Sequence, residues 1–353
     1  MGKLYQTQTH PLRPKSKEKT MQNPPIPRCP ECEPVEPVTR RQFLKAAGTA
    51  LMTASVAATA SALPALDTPR VGTAEQLVKE LYNTLTTEQK RQIVLPWESA
   101  RRTMVAANWA IVEPTIGEVF TPDQQEIVRA IFKAVTNEEW YPRFLAQMKT
   151  DGGGFENYHV AIFGNPNTGK AEWVLTGRHT TMRAGGDPTE NRAFGGPIFY
   201  GHAPKFNEDP KHTGNVFWYQ AMRANELFQM LDGKQRAQAL LPTAPQESAI
   251  SFRKPGEELP GIPIRTLTRD QKAHVWKVMH DILAPYRKSD VETVMQNVQA
   301  SGGLDAMHLV FYKQDDLGND GIWDIWRLEG PAFVWHFRGA PHVHTWVNVG
   351  RKG

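Results

Sequence analysis

The sequence predicts an α+β fold made of two related halves, each a group of helices followed by an antiparallel β-hairpin. Three observations predict it. Helix starts of the form (Leu/Phe)-Thr-x-(Asp/Glu)-Gln recur along the chain. Alternating apolar runs broken by Gly-, Asn- and Asp-rich turns follow them, and the order returns after about 150 residues.

In the first half, residues 74–95 read as an amphipathic segment. Leu77, Leu81 and Leu85 recur at helical spacing, and Leu85-Thr86-Thr87-Glu88-Gln89 caps a second short helix. Thr121-Pro122-Asp123-Gln124 starts another helix with proline at its first position, and Ile127, Ile131 and Val135 continue its apolar stripe. Asp151-Gly152-Gly153-Gly154 is a breaker. A strand over residues 158–163, a turn over 164–169 and a strand over 171–179 ending at His179 form the first hairpin.

The second half repeats the order. Leu241-Pro242 lies 146 residues after Leu95-Pro96, and Leu267-Thr268-Arg269-Asp270-Gln271 lies 147 after Phe120-Thr121-Pro122-Asp123-Gln124. The strand starting near His308 lies 149 after that of His159, and Trp323 lies 150 after Trp173. The halves are expected over about 74–181 and 220–353, joined by a polar connection over 182–219. Their hairpins are expected to meet in one mixed or antiparallel sheet with helices on one face.

The N-terminal 62 residues read as a leader. Thr39-Arg40-Arg41-Gln42-Phe43-Leu44-Lys45 matches a bacterial twin-arginine export signal, with Arg40 and Arg41 as the signal pair. The uncharged Ala-, Ser- and Thr-rich run to Leu66 is too polar to span a bilayer. Ala58-Thr59-Ala60 and Ala60-Ser61-Ala62 offer cleavage sites. The expectation is a periplasmic or extracellular protein, exported folded, with the twin-arginine translocase as its partner in transit. Met1 and Met21 both remain as starts.

The leader carries nine basic and four acidic residues, so residues 63–353 sit near −1 against +4 for the whole chain. A basic-patch reading for nucleic acid is thereby excluded. Cys29 and Cys32, the chain's two cysteines, also belong to the leader. A lone C-x-x-C there is not a site, and residues 63–353 form one α+β domain without disulfides or thiolate sites. All ten tryptophans fall in that domain, which argues for a large aromatic core.

Gly164–Lys170 satisfies G-x-x-x-x-G-K, but Ala171 replaces the magnesium-binding Ser/Thr and a strand follows, so the segment reads as a hairpin turn. Asp315–Gly321 is acidic but lacks the ligand spacing of a calcium loop and reads as the second hairpin's turn.

Histidine carries the functional signal. His342 and His344 lie two apart in an extended segment, so both imidazoles share a face, as a pair of metal ligands requires. His179 and Glu329 fall at equivalent places by an offset of 150 and are expected to converge on that pair, with His202 or Glu329 as a further ligand or proton-transfer group. His159 and His308 read as core histidines. An all-imidazole site suits copper, zinc or iron. Two other readings stand: a binding groove for a sugar or peptide lined by Trp323, Trp326, Phe333, Trp335 and Phe337, and a hydrolase pairing Asp324 or Glu329 with His179.

Tyr158-His159-Val160-Ala161-Ile162-Phe163-Gly164, Gly177-Arg178-His179, Leu328-Glu329-Gly330-Pro331 and His342-Val343-His344-Thr345-Trp346, in that order, resemble the uncharacterised bacterial domain-of-unknown-function family numbered 3500. The resemblance covers essentially all of the chain after the leader and implies an exported protein of one α+β domain, with no reaction. The family's first-hairpin motif is usually Gly-His-His; here Arg178 stands at the first of those histidines.

Overall fold

The helix starts anticipated from the sequence form as capping boxes, in which a side chain at the N-cap and a glutamine three residues on satisfy each other's backbone N–H groups. In the computed structural model, which describes residues 72–203, 216–254 and 256–351, α1 (Ala74–Thr84) is boxed by Thr73 and Gln76, and α2 (Thr87–Ile93) by Thr86 and Gln89. The export signal at Arg40 and Arg41, the cleavage sites, Cys29, Cys32 and His212 lie outside the described residues.

After the short β1 (Val94–Leu95) come α3 (Ile116–Val119), α4 (Pro122–Val135, boxed by Thr121 and Gln124) and α5 (Tyr141–Gly152). Four strands follow: β2 (His159–Gly164), β3 (Ala171–Gly177), β4 (Thr180–Gly186) and β5 (Ile198–His202). The chain continues with α6 (Trp218–Met230), α7 (Gly233–Ala239), β6 (Leu240–Leu241), β7 (Ile262–Pro263), α8 (Arg269–Leu283) and α9 (Lys288–Ala300). It ends with β8 (His308–Tyr312), β9 (Ile325–Gly330), β10 (Phe333–Arg338) and β11 (Val343–Val349).

The capping glutamines also join helices. Gln89 Nε2 donates to Gln124 Oε1 at 2.7 Å, and Gln235 Nε2 to Gln271 Oε1 at 3.1 Å, so each half locks its α2- or α7-type turn to the following long helix by the same contact. This is why a glutamine ends the recurring pattern.

All eleven strands among the described residues form one mixed sheet in the order β1-β2-β3-β4-β5-β11-β10-β9-β8-β6, with β7 beside β8. Only β1 against β2 and β6 against β8 run parallel. The two halves meet where β5 pairs antiparallel with β11, Gly201 opposite His344 and His202 opposite Val343.

One expectation is corrected here. The stretch 182–219 is not simply a connection, because β4 begins at Thr180 and β5 lies at the middle of the sheet. In the strand registers Trp173 faces Ile162 and Trp326 faces Phe311, while Thr176 faces His159 and Glu329 faces His308.

The helices cover one face of the sheet. On β11, Val343, Val347 and Val349 point into that main core, as do Trp335 and Phe337 of β10. Trp346 and Val334 point the other way, onto Phe199, Ala107 and Ile250. The second face is thus closed by the irregular segments that carry Val105–Ala107 and Ile250–Phe252, and the central strands are buried on both sides. No helix among the described residues is long and apolar enough to cross a membrane.

A candidate three-histidine metal centre

His179 reaches the site through a tight turn. β3 and β4 pair up to Gly177 and Thr180, leaving Arg178 and His179 as a two-residue connection. His179 adopts φ 56°, a left-handed conformation that costs a non-glycine residue about 1–2 kcal/mol. The turn is held by His179 N–H donating to Ala107 O at 2.8 Å and by Gly201 N–H donating to His179 O at 3.1 Å. The two-residue turn between β9 and β10, Pro331-Ala332, has no such residue. Backbone strain kept in place by surrounding bonds concentrates at functional sites.

His344 lies on β11 between Gly201 and Arg338, and His342 stands one residue before the strand begins. The Nε2 atoms of His342 and His344 are 3.0 Å apart, and those of His179 and His342 are 3.2 Å apart. Ring centroids stand 4.7, 5.0 and 5.2 Å apart, a nearly regular triangle. Tetrahedral ligands with bonds of about 2.0–2.1 Å would be separated by about 3.3 Å, close to the spacing seen. All three residues are buried, and their ligand atoms lie within 4.8 Å of one another.

Two carboxylates fix the rings from behind. Asp151 Oδ2 lies 2.7 Å from His179 Nδ1, and Glu247 Oε1 lies 2.7 Å from His344 Nδ1. A carboxylate at Nδ1 favours a proton on that nitrogen and turns Nε2 toward the centre of the group. The Nε2 atoms of His179 and His344 both face His342 Nε2, an arrangement that a shared cation fits. A metal-bound histidine held by a carboxylate is the usual support for such an ion.

Proton affinities agree with this. Burial, with the charges of His179 and Arg338 added, brings His342 down to about 3, and burial pushes His344 well below the ordinary histidine value. Both rings are neutral at pH 7, the state that binds a metal. Burial pushes the Asp151 carboxyl up, but its hydrogen bond to His179 and the charges of His179 and His202 outweigh this and hold it below the usual range. Glu247 is shared with Arg338, whose Nε lies 3.0 Å from Oε2. Gly201 completes the site from below: a Cβ there would meet Val343 O at 2.5 Å and the Cδ2 atoms of His179 and His344 at 3.2 and 3.3 Å.

His202 and Glu329 sit differently. His202 Nε2 lies 3.3 Å from Thr150 Oγ1 and 3.9 Å from Asp151 Oδ1, behind the first carboxylate and outside the three-histidine group. Glu329 is clamped by Arg253 at 2.7 Å and Arg327 at 3.0 Å, and faces the loop-covered side of the sheet. Glu172 is held in the same way by Arg102 and Arg183 in the first half. The carboxylate at His179 is thus Asp151, not Glu329 or Asp324; Asp324 accepts from Leu317 N–H at 2.6 Å.

Trp326, Phe333, Trp335 and Phe337 are core residues, and Trp323 is half-buried against Phe228, so these rings do not line an open groove. His159 and His308, read as core histidines, open β2 and β8 and are only partly buried. Gly164–Lys170 is a hairpin turn closed by Asn165 N–H on Lys170 O, and Asp316 and Asp320 accept from Gly321 and Ile322 within their own turn.

Sequence reasoning missed Asp151 and Glu247. Asp151 was visible only as the start of a glycine run, and Glu247 lies in a loop with no local pattern. No curated protein and no solved structure matches the chain. A family model does match it, over residues 69–349, which takes in the whole sheet, all three histidines and both carboxylates. The chain belongs to that family, DUF3500, proteins of unknown function.

Proposed function

We propose that this protein binds one metal ion through His179, His342 and His344, and that it works outside the inner membrane after export. The observation that carries the reading is the meeting of three Nε2 atoms, two of them on rings pinned at Nδ1 by buried carboxylates. Imidazole donors suit zinc, copper or iron. With three protein ligands and a fourth position open, such an ion supplies Lewis acidity or an activated water.

In this reading Asp151 and Glu247 set the tautomers, Gly201 gives the rings room, and His202, 3.9 Å from Asp151 Oδ1, stands outside the chemistry. Glu329 belongs to an arginine clamp that holds the sheet, not to the chemistry. Neither the sugar or peptide groove nor the hydrolase is favoured by any contact of its residues.

The twin-arginine pair Arg40 and Arg41 supports export of the folded protein by the translocase, a route that suits a protein whose ion is inserted beforehand. Two experiments test the proposal. Metal analysis of natively exported protein should give close to one ion per chain, lost in a His342→Ala/His344→Ala double variant; no ion in either would overturn the metal reading. An Arg40→Lys/Arg41→Lys variant should stay in the cytoplasm, and unchanged export would overturn the route.

A further inference from the structure

On the loop-covered face of the sheet, Arg327 of β9, His336 of β10 and Trp346 of β11 form one row. His336 is the direct cross-strand partner of both others, so all three side chains project from the same side. Their exposures are 3%, 1% and 2%. Arg327 Nε donates to Glu329 Oε2 at 3.0 Å, and Nη2 donates to Ala249 O at 2.6 Å, in the segment that roofs the row. Asn348 Nδ2 pins the same roof by donating to Ile250 O at 3.0 Å.

Beneath it, Arg327 Nη1, His336 Nδ1 and Trp346 Nε1 are buried and have no hydrogen-bond partner among the described residues. Unpartnered indole N–H groups also occur at Trp326 and Trp335 in the main core, so Arg327 and His336 carry the argument. The clamp around Glu172 gives the contrast. There every guanidinium nitrogen of Arg102 and Arg183 has a protein acceptor. Those two arginines also meet two carboxylates, Glu172 and Glu190. Arg253 and Arg327 meet one carboxylate, Glu329, among the described residues. The second clamp thus has a positive charge in excess and a buried donor without an acceptor. Native proteins fill such places with water or an ion, and the excess charge selects an anion.

We infer that this row holds one small monovalent anion of halide size, between Arg327 Nη1 and His336 Nδ1 and beside the Trp346 indole. One negative charge balances the clamp. Arg327 offers a single nitrogen, since Nε and Nη2 are committed, so the two-pronged grip that a carboxylate takes on a guanidinium is not available here. A spherical acceptor fits donors that come from separate strands. None of the three residues belongs to the histidine group, so the inference stands apart from the metal reading.

The test is urea unfolding of the purified mature protein near pH 7, with sodium chloride exchanged for sodium gluconate at constant ionic strength. An anion held by the folded chain and not by the unfolded one stabilises by mass action, so the midpoint should rise with chloride and with bromide. His336→Phe should weaken the apparent chloride affinity about tenfold or more, as loss of one hydrogen bond to a charge implies. His342→Ala, which opens the three-histidine group, should respond to chloride as wild type does. Bromide-soaked crystals of wild type should show an anomalous peak between Arg327 and His336, a readout that needs no variant. A midpoint indifferent to chloride, a full response in His336→Phe, or a response lost in His342→Ala would overturn the inference. So would bromide-soaked crystals without a peak at the row.

Discussion

Asp151 and His179 are joined at 2.7 Å although 28 positions of chain, including a complete β-hairpin, separate them. The last turn of α5 is therefore tied to the β3–β4 turn, and the ring orientation at the site depends on a helix end. Gly153, in the left-handed conformation at φ 81°, ends that helix just beyond Asp151.

Removing the carboxylate charge should loosen the metal without unfolding the protein. Asp151→Asn and Glu247→Gln keep shape and lose the strong acceptor at Nδ1, so each is expected to weaken metal binding by about 10–100-fold. Competition against a chromophoric chelator measures this. Wild-type affinity in both variants would mean that the carboxylates do not support a metal.

Gly201 should tolerate no side chain. Gly201→Ala puts a methyl 2.5 Å from a backbone carbonyl and against two ligand rings. A cost of about 1–3 kcal/mol is expected from such overpacking. Urea unfolding of the metal-free protein should show it, alongside weakened metal uptake.

Glu329→Ala separates the two readings of this residue. As one member of a buried clamp, its loss strands Arg327 and Arg253 and should destabilise by about 3–5 kcal/mol. Metal stoichiometry of the folded fraction should be unchanged. A variant of normal stability that fails to bind metal would return Glu329 to the site.

His336 should make the protein acid-sensitive. It is fully buried on β10, and burial together with the charges of Arg327 and Arg338 pushes its proton affinity well below the ordinary value of 6.5. Below that pH the unfolded chain takes up a proton that the folded chain refuses, so stability falls as pH drops below 6.5 and is complete above it. His336→Phe should flatten this part of the profile in metal-free protein, read by denaturant unfolding between pH 7 and pH 5. An unchanged slope would contradict the assignment.

What could be read from the sequence was local. Capping boxes at Thr86, Thr121 and Thr268 involve residues three apart, and each forms as anticipated. The pairing of His342 with His344 needed only the two-residue repeat of a strand. β4 and β5 were hidden because Gly185, Gly186 and Gly201 dilute them, yet their glycines are required where Ala171 O, Gly195 and Val343 O approach closely. The second layer was hidden too, since Ile250 and Phe252 lie in a segment without periodicity. Asp151 and Glu247 were beyond reach for the same reason: only the pairing of β5 with β11 brings the halves together at the histidines.

The central claim is that three Nε2 atoms share one ion, and X-ray absorption at the metal edge tests it most directly. The loaded wild-type protein should show three imidazole nitrogens at about 2.0–2.1 Å, the distance expected for zinc. His344→Ala should lose one of them or the ion altogether. A spectrum without imidazole scattering, or one identical in wild type and His344→Ala, would contradict the account.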